Sequence, residues 1–310
     1  MIVDVKDLTK RFDRGKGDGF TAVDHIGFSI SPGERVAFIG PNGAGKSTTL
    51  KMLTGILYPT SGSALVSGFV PWSQRSRLAY EIGIVFGQRS QLWYHLKVRD
   101  SFEVLAKIYG VGAEDYRQRV GHIAEVLQIR DLIDRPVKSL SLGQRMRCEI
   151  AAALLHRPKI LFLDEPTIGL DVTAKALLRE HLKHLAEAED TVILLTSHDT
   201  GDIEEICGRV ILINHGRILL DKPLEDLRSA FLTTKQITLV TEEETPVWEE
   251  TDSVTVVERG RHRLTLSVDV AGHAVEKVVA QALESLTVRD LTIENAPLDD
   301  VIRDLYGEKT

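Results

Sequence analysis

A glycine-rich motif of the form G-x-x-x-x-G-K-S/T lies between a predicted strand at residues 34–40 and a predicted helix at 46–53. The motif and the residue after it are Gly40, Pro41, Asn42, Gly43, Ala44, Gly45, Lys46, Ser47 and Thr48. Glycines let backbone N–H groups turn inward around phosphate groups, and the helix N-terminus adds partial positive charge. Here Lys46 can reach the β- and γ-phosphates of a nucleotide, and Ser47 can bind Mg²⁺. The alternative, a chance glycine-rich turn, is disfavoured by the flanking strand and helix.

Two carboxylates and a histidine follow later predicted strands. Asp164 ends the apolar strand at residues 159–164, and Glu165 follows it directly. In a fold of this kind, an Asp at the carboxyl end of such a strand holds Mg²⁺. Glu165 could polarise an attacking water as a general base. His198 follows the strand at residues 191–197, from which it would reach the γ-phosphate. An isolated histidine at a strand end is usually structural, but its place after the Asp-Glu strand favours a functional role.

The first 220 residues alternate strand-like apolar runs with helical stretches, which predicts a mainly parallel α/β sheet. Residues 209–214 form a further predicted strand. Residues 99–130 are helix-rich and indicate a helical insert, placed at about 89–158. We expect one domain at 1–222 and a small α+β domain at 223–310. The strands predicted in the second domain are 236–240, 253–258, 263–268 and 290–294, with a turn at Gly260 and helices at 273–286 and from Leu298.

Composition is that of an ordinary globular protein, with 43% hydrophobic and 27% charged residues. No apolar run approaches the roughly 20 residues of a membrane-spanning helix, and the N-terminus lacks a signal pattern. The two cysteines, Cys148 and Cys207, suit a reducing cytoplasm. Residues 221–310 carry 19 acidic and 10 basic side chains, a net charge of −9, within a chain of net charge −7. This balance disfavours a nucleic-acid partner.

The segment Leu140-Ser141-Leu142-Gly143-Gln144, before a predicted helix at residues 145–156, resembles the L-S-G-G-Q signature of ABC nucleotide-binding domains. The phosphate loop, Asp164-Glu165, Ile168-Gly169-Leu170-Asp171 and His198 complete the ordered set of that family. The resemblance covers residues 3–221. It implies a P-loop NTPase ABC cassette, which has a mainly parallel sheet core, an antiparallel β subdomain and a helical insert. It also implies that two cassettes pack head to tail and enclose ATP.

In such a pair the signature of one chain caps the ATP held by the phosphate loop of the other. The resemblance therefore assigns Ser141 and Gly143 to the γ-phosphate of the opposite chain, and places Gln144 and Asp171 in the nucleotide site with them. Leu142 departs from the family pattern, in which this position is glycine. Because the serine and the second glycine remain, we do not interpret the site as inactive.

Two further matches concern the nucleotide and its metal. Gln88 resembles the family glutamine that contacts Mg²⁺ and the attacking water, so it is assigned to metal binding and catalysis. Gly87 is an extra residue relative to the usual spacing, and Gln91 is the alternative. Phe12 resembles the aromatic residue that stacks on adenine, with core packing as its alternative role.

The resemblance also implies a membrane partner. Residues 90–96, which include Trp93 and Tyr94, open the insert where family members receive their permease, although they could instead form the core of the insert. Residues 294–301 resemble the end of drug-exporter-type ATPases. The leading interpretation is a homodimeric exporter ATPase at the cytoplasmic face of the membrane, with its permease on a separate chain. The alternatives are an importer ATPase, a soluble ABC ATPase of DNA repair, chromosome organisation or translation, and a regulatory module without turnover.

Overall fold

The computed structural model describes residues 1–13, 19–87, 89–189, 191–231, 234–251, 253–270 and 275–295. The chain divides into two compact units, Met1–Leu224 and a second unit that begins at Glu225. The sequence places this boundary at 222/223. The last strand of the first unit, Arg217–Pro223, pairs with its neighbour as far as Pro223, so the first unit extends to Leu224.

The first unit contains two sheets. Its strands are β1 (Val3–Phe12), β2 (Phe20–Ile30), β3 (Arg35–Ile39), β4 (Ser61–Val66), β5 (Ile82–Phe86), β6 (Ile160–Asp164), β7 (Val192–Thr196), β8 (Arg209–Asn214) and β9 (Arg217–Pro223). The larger sheet has the order β5-β6-β7-β3-β8-β9, in which only β9 is antiparallel to its neighbour. The smaller sheet is antiparallel, with the order β2-β1-β4. The expected combination of a mainly parallel core and an antiparallel β subdomain is confirmed.

The parallel strands are short and mostly apolar between their ends, which is typical of strands buried on both faces. Every residue of β7 is buried, as are Ile160 to Leu163 of β6. In a parallel sheet the strands end at one edge, and ligands bind beyond that edge where loops diverge. The loops that follow β3, β6 and β7 therefore begin at the same edge of the sheet.

The described residues of the first unit form seven α-helices, some of which belong to the insert. They are α1 (Lys46–Leu53), α2 (Arg75–Leu78), α3 (Val98–Ile108), α4 (Ala113–Val126), α5 (Leu142–Leu154), α6 (Val172–Glu189) and α7 (Thr200–Ile206). The insert between β5 and β6 contributes α3, α4 and α5. The sequence starts the last of these helices at Arg145, whereas α5 begins at Leu142. The reason is a capping box, in which Ser141 and Gln144 exchange side-chain hydrogen bonds with each other's backbone N–H groups.

The described residues of the second unit form a four-stranded antiparallel sheet and two helices, and they include a strand close to each of the four strands expected from the sequence. Its elements are α8 (Leu224–Phe231), which begins at the end of the first unit, β10 (Thr234–Thr241), β11 (Val254–Gly260), β12 (Arg263–Asp269), α9 (Val275–Ser285) and β13 (Val288–Asn295). The strand order is β11-β12-β10-β13. The core of this unit includes Ile237, Leu266 and Val278. The predicted turn falls at Arg261-His262, because β11 continues through Gly260.

The helix expected from Leu298, and residues 296–301 of the exporter-like ending, lie outside the described residues. Within the part of the chain that the structure describes, no helix combines the length and the hydropathy needed to cross a membrane.

Candidate active site

The phosphate loop joins β3 to α1 and depends on glycines for its path. Gly43 and Gly45 have φ angles of 82° and 111°, a region in which residues with side chains are strained. A Cβ atom on Gly45 would lie 2.5 Å from the carbonyl oxygen of Ala22, and one on Gly40 would lie 2.3 Å from that of Ile213. Neither Gly40 nor Gly45 could therefore carry a side chain without a shift of the neighbouring backbone.

Lys46 is the first residue of α1 and is 5% exposed. Its Nζ atom donates hydrogen bonds to the carbonyl oxygens of Gly40, at 2.6 Å, and Pro41, at 3.3 Å. Burial lowers the pKa of Lys46, while the nearby carboxylates of Glu165 and Asp164 oppose that shift. A cation held inside its own loop is placed to meet an anion that enters the loop.

Asp164, at the end of β6, is bonded to side chains from two other elements. Its Oδ1 atom accepts a hydrogen bond of 3.1 Å from Ser47 Oγ and one of 2.6 Å from Thr196 Oγ1. The sequence prediction missed Thr196. The sequence shows only that Thr196 lies near the end of a predicted strand, two residues before His198, and its register opposite Asp164 is a finding of the structure.

These oxygen atoms fit a magnesium ion. Mg²⁺ is usually held by one or two protein oxygens and completed by phosphates and water, so a carboxylate beside a hydroxyl is a suitable donor set. The described residues contain no cluster of three or more His, Cys, Asp or Glu side chains that could hold a metal alone. A metal here would therefore depend on a second ligand such as a nucleotide.

Glu165 lies between Lys46 and His198. Its Oε1 atom is 3.9 Å from Lys46 Nζ and 3.5 Å from His198 Nδ1. Its backbone has a φ of 52°, and its N–H donates to both the carbonyl and the hydroxyl oxygen of Thr196. Glu165 is 22% exposed at its side chain and His198 is 59% exposed, so both can meet a ligand. The structure thus brings the predicted base and the predicted histidine together.

Two cavities adjoin these residues. The first, of about 250 Å³, is lined by Phe12, Phe20, Glu165 and loop residues 41–48. The second, of about 640 Å³, is lined in part by Phe12, Asn42, Ser47, Asp164 and Glu165. Phe12 lines both cavities and is 38% exposed, with Lys10 Nζ 5.1 Å from the centre of its ring. Phe20, its cross-strand partner, is 50% exposed and was missed by the sequence prediction.

The segment after β5 begins with a tight turn. Gln88 lies outside the described residues, whereas Gly87 and Arg89 on either side of it line the second cavity. Gly87 N donates to Asp164 O at 2.9 Å, and a Cβ on Gly87 would lie 2.6 Å from Glu165 O. Gln91, the alternative to Gln88, does not line this cavity, because its Nε2 atom donates to the carbonyl oxygen of Glu149.

The signature residues lie elsewhere in the unit. Ser141 is the N-cap of α5, and neither it, Gly143 nor Gln144 lines the two cavities. Leu142, which departs from the family pattern, lies against Gly169. A Cβ atom added to Gly169 would be 3.1 Å from the Cδ2 atom of Leu142. Leu142 thus packs on the 168–171 loop and leaves the cap of α5 intact.

Asp171 also has a local structural role. Its Oδ1 atom accepts a hydrogen bond of 2.8 Å from Ala174 N and so caps α6. Like the signature residues, Asp171 lines neither cavity. One chain therefore presents two separate sets of predicted site residues, one at the phosphate loop and one at the starts of α5 and α6.

Comparisons with known proteins agree with this architecture. A family model described as ABC transporter matches residues 23–168. The ABC transporter ATP-binding protein NatA of Bacillus subtilis is 32% identical over 226 residues, which cover 73% of this chain and 91% of NatA. The Nod factor export ATP-binding protein I of Burkholderia pseudomallei is 38% identical over 69% of this chain and 68% of the relative.

A solved structure resembles the fold as well. It is the ATP-binding cassette MJ0796 in a dimeric post-hydrolysis state bound to ADP and Pi. Its TM-score is 0.65 at 26% identity, with coverage of 72% of this chain and 98% of that one.

Proposed function

This chain belongs to the ABC transporter family as an ATP-binding subunit that hydrolyses ATP, and we propose that it powers an exporter whose permease is a separate chain. The observation that carries the proposal is the division of the site. Lys46, Asp164, Glu165 and His198 meet at one edge of the sheet, whereas Ser141 caps a helix that lines neither cavity. The two sets fit a site completed by a second subunit.

We infer that the second subunit is another copy of this chain. Each copy carries both the phosphate loop and the signature, so two copies arranged head to tail complete two equivalent sites. The dimeric state of MJ0796 supports this arrangement. Ser141 and Gly143 then approach the γ-phosphate held by the opposite loop. They do so at the N-terminus of α5, which favours negative charge.

Within each site the residues have separate roles. The loop N–H groups and Lys46 bind the β- and γ-phosphates, and Phe12, with Phe20 beside it, contacts the adenine. Ser47 and Asp164 would hold Mg²⁺, with Gln88 assigned to the same ion. The bound ion supplies charge neutralisation at the phosphate oxygens. Glu165 accepts a proton from the attacking water, and His198 contacts the γ-phosphate.

We assign the binding site of the permease to the surface around a third cavity of about 330 Å³, beside the segment that follows β5. Its lining includes Arg75, Tyr109 and Glu149. Close to it in the chain, Trp93 and Tyr94 are 42% and 56% exposed, which disfavours their alternative role as core of the insert. Exposed aromatic side chains next to a cavity suit a protein partner. A permease bound here would keep the chain at the cytoplasmic face of the membrane.

Export is the direction that the relatives support, because one of them is named for Nod factor export. The test is to express the chain with the membrane protein encoded beside it and to prepare inverted vesicles. We expect the two proteins to purify together. Vesicles should accumulate at least one compound from a panel of hydrophobic antibiotics when ATP is added outside.

The matched control for this experiment is Glu165→Gln, which should abolish accumulation without releasing the chain from the membrane protein. Release of a preloaded compound on addition of ATP would indicate an importer. Failure to purify with any membrane protein would contradict the transport role and favour a soluble ABC ATPase.

A further inference from the structure

We propose that Arg179, in the middle of α6, is a positioning residue that holds His198 against Glu165 and so sets the rate of ATP hydrolysis. The inference rests on the proposed roles of these two residues. Arg179 does not line the cavities around the phosphate loop, and it would act only through the loops that carry His198 and Glu165.

The guanidinium group of Arg179 binds three carboxylates that follow His198 in the chain. Its Nε atom donates to Asp202 Oδ1 at 2.7 Å, and its Nη2 atom donates to Asp199 Oδ1 at 2.7 Å. Its Nη1 atom is 3.2 Å from Glu205 Oε1. The side chain of Arg179 is 12% exposed and that of Asp202 is fully buried, so the bond between them is shielded from water, whereas Glu205 is 51% exposed. A planar group with fixed donors holds such carboxylates in one geometry, which an ammonium group would not do.

Asp202 connects this arginine to both catalytic loops. It is fully buried, and its Oδ2 atom accepts hydrogen bonds from Thr167 Oγ1 at 2.5 Å and from Ser197 Oγ at 2.7 Å. Thr167 lies two residues after Glu165, and Ser197 directly precedes His198. One buried carboxylate therefore joins the loop of the base to the loop of the histidine. Arg179 supplies the positive charge that a buried carboxylate requires.

The residue after His198 is fixed by the same group. Asp199 caps α7 by accepting a hydrogen bond of 3.0 Å from Gly201 N, and it is also bonded to Lys175 Nζ at 2.5 Å. A Cβ on Gly201 would lie 2.5 Å from Arg179 Nη1, so the guanidinium lies directly on the backbone of α7. The imidazole of His198 is itself mostly exposed. Its position therefore depends on Ser197 and Asp199, which the arginine network anchors.

A double-mutant cycle tests the proposal on the full-length chain with its permease. Arg179→Met keeps the length of the side chain and removes its charge. We expect kcat for ATP to fall roughly 10- to 100-fold, as for a misplaced catalytic group, while KM and nucleotide affinity stay within about twofold. In a His198→Ala background the same substitution should lower kcat by no more than about twofold further. If the fold-loss of kcat in the double variant equals the product of the losses in the two single variants, Arg179 acts independently of His198, and the proposal is overturned.

Arg117→Met is the matched control, since Arg117 is an exposed helical arginine paired with Glu114, and it should leave kcat unchanged. If Arg179→Met fails to fold, Thr167 provides a second test. Thr167→Val removes the hydroxyl bond to Asp202 at nearly constant shape and should lower kcat about tenfold, whereas Thr167→Ser should stay within about twofold of the native chain. Equal activity of the Val and Ser variants would overturn the proposal. A native chain without any Lys46-dependent ATP hydrolysis would instead contradict the proposed function itself.

Discussion

Ser47 and Asp164 lie 117 residues apart in the chain, yet Ser47 Oγ donates a hydrogen bond of 3.1 Å to Asp164 Oδ1. The first belongs to α1 and the second to β6. They meet because β3 and β6, separated only by β7, end at the same edge of a parallel sheet.

Glu165→Gln should stop ATP hydrolysis and leave ATP binding intact, because an amide cannot accept the proton of the attacking water. The amide keeps the size of the side chain, and the backbone bonds to Thr196 are unaffected. The variant should therefore accumulate as an ATP-bound dimer, which sedimentation with and without ATP would detect. Near-native turnover of this variant with its permease would show that Glu165 is not the base.

Lys46→Ala and Ser141→Arg should fail at different steps. The first removes the cation inside the phosphate loop, so nucleotide binding to the isolated chain should weaken and turnover should be lost. The second places a long side chain at the exposed N-cap of α5 and should spare binding to one chain while blocking ATP-dependent dimerisation. Equilibrium binding of a fluorescent ATP analogue and sedimentation separate the two effects.

The control for Ser141→Arg is Ser141→Thr, because threonine also caps a helix and adds only a methyl group. It should dimerise with ATP. If both Lys46→Ala and Ser141→Arg lose nucleotide binding to the isolated chain, the site is not divided between two subunits.

The local motifs could be predicted from the sequence because each is specified within a few residues. The phosphate loop needs only glycines and a lysine between a strand and a helix, and Glu165 follows Asp164 directly. Thr196 could not be found this way, because its role depends on its register opposite Asp164. The bond between Arg179 and Asp202 joins residues 23 positions apart on two helices, and a sequence pattern gives no sign of it. The start of α5 was predictable in principle, since Ser141 and Gln144 have the spacing of a capping box.

Replacement of both Trp93 and Tyr94 by alanine should reduce permease-stimulated ATP hydrolysis or co-purification, with little effect on nucleotide affinity. Both side chains are substantially exposed, so the melting temperature should change by no more than about 2 °C. Tyr58→Ala, at an aromatic residue that is 63% exposed, is the control. It should keep the permease-stimulated ATP hydrolysis and the co-purification of the native chain. A double variant that does not fold would show instead that the two residues form the core of the insert.

Glu149→Gln should change stability in a pH-dependent manner. Burial raises the pKa of Glu149 above its ordinary value of 4.5, although hydrogen bonds from Ser90, Gln91 and Leu92 oppose the shift. A carboxyl group with a raised pKa stabilises the fold below pH 4.5, and that contribution is lost as the pH rises through the folded-state pKa. Glutamine does not titrate, so the melting temperature of the variant relative to the native chain should increase from pH 4 to pH 8.

The control for this series is Glu103→Gln, which makes the same substitution at an exposed position of α3. A difference between Glu149→Gln and the native chain that is constant or decreases over this range would contradict the assignment. Differential scanning calorimetry at five pH values between 4 and 8 would decide.

Removal of the second unit should weaken dimerisation and leave ATP binding intact. A chain ending at Leu224 keeps the whole first unit, with β9 and the site residues, so each cassette should bind ATP as before. We propose that the second unit tethers two subunits and raises the effective concentration of one cassette near the other. Turnover at low protein concentration should therefore fall.

The second unit has a core of its own, and sedimentation of the 225–310 fragment provides the direct test. A fragment that stays monomeric at tens of micromolar, a working range for weak association, would contradict the tether.

The space at the end of β5 limits which residue codon 87 can encode. Gly87 donates its N–H to Asp164 O, and a Cβ in its place would approach Glu165 O to 2.6 Å. Any substitution that adds a side chain at this position must therefore displace the backbone of Glu165. Codon 87 thus acts on the site through the space that glycine leaves empty, and not through a side chain.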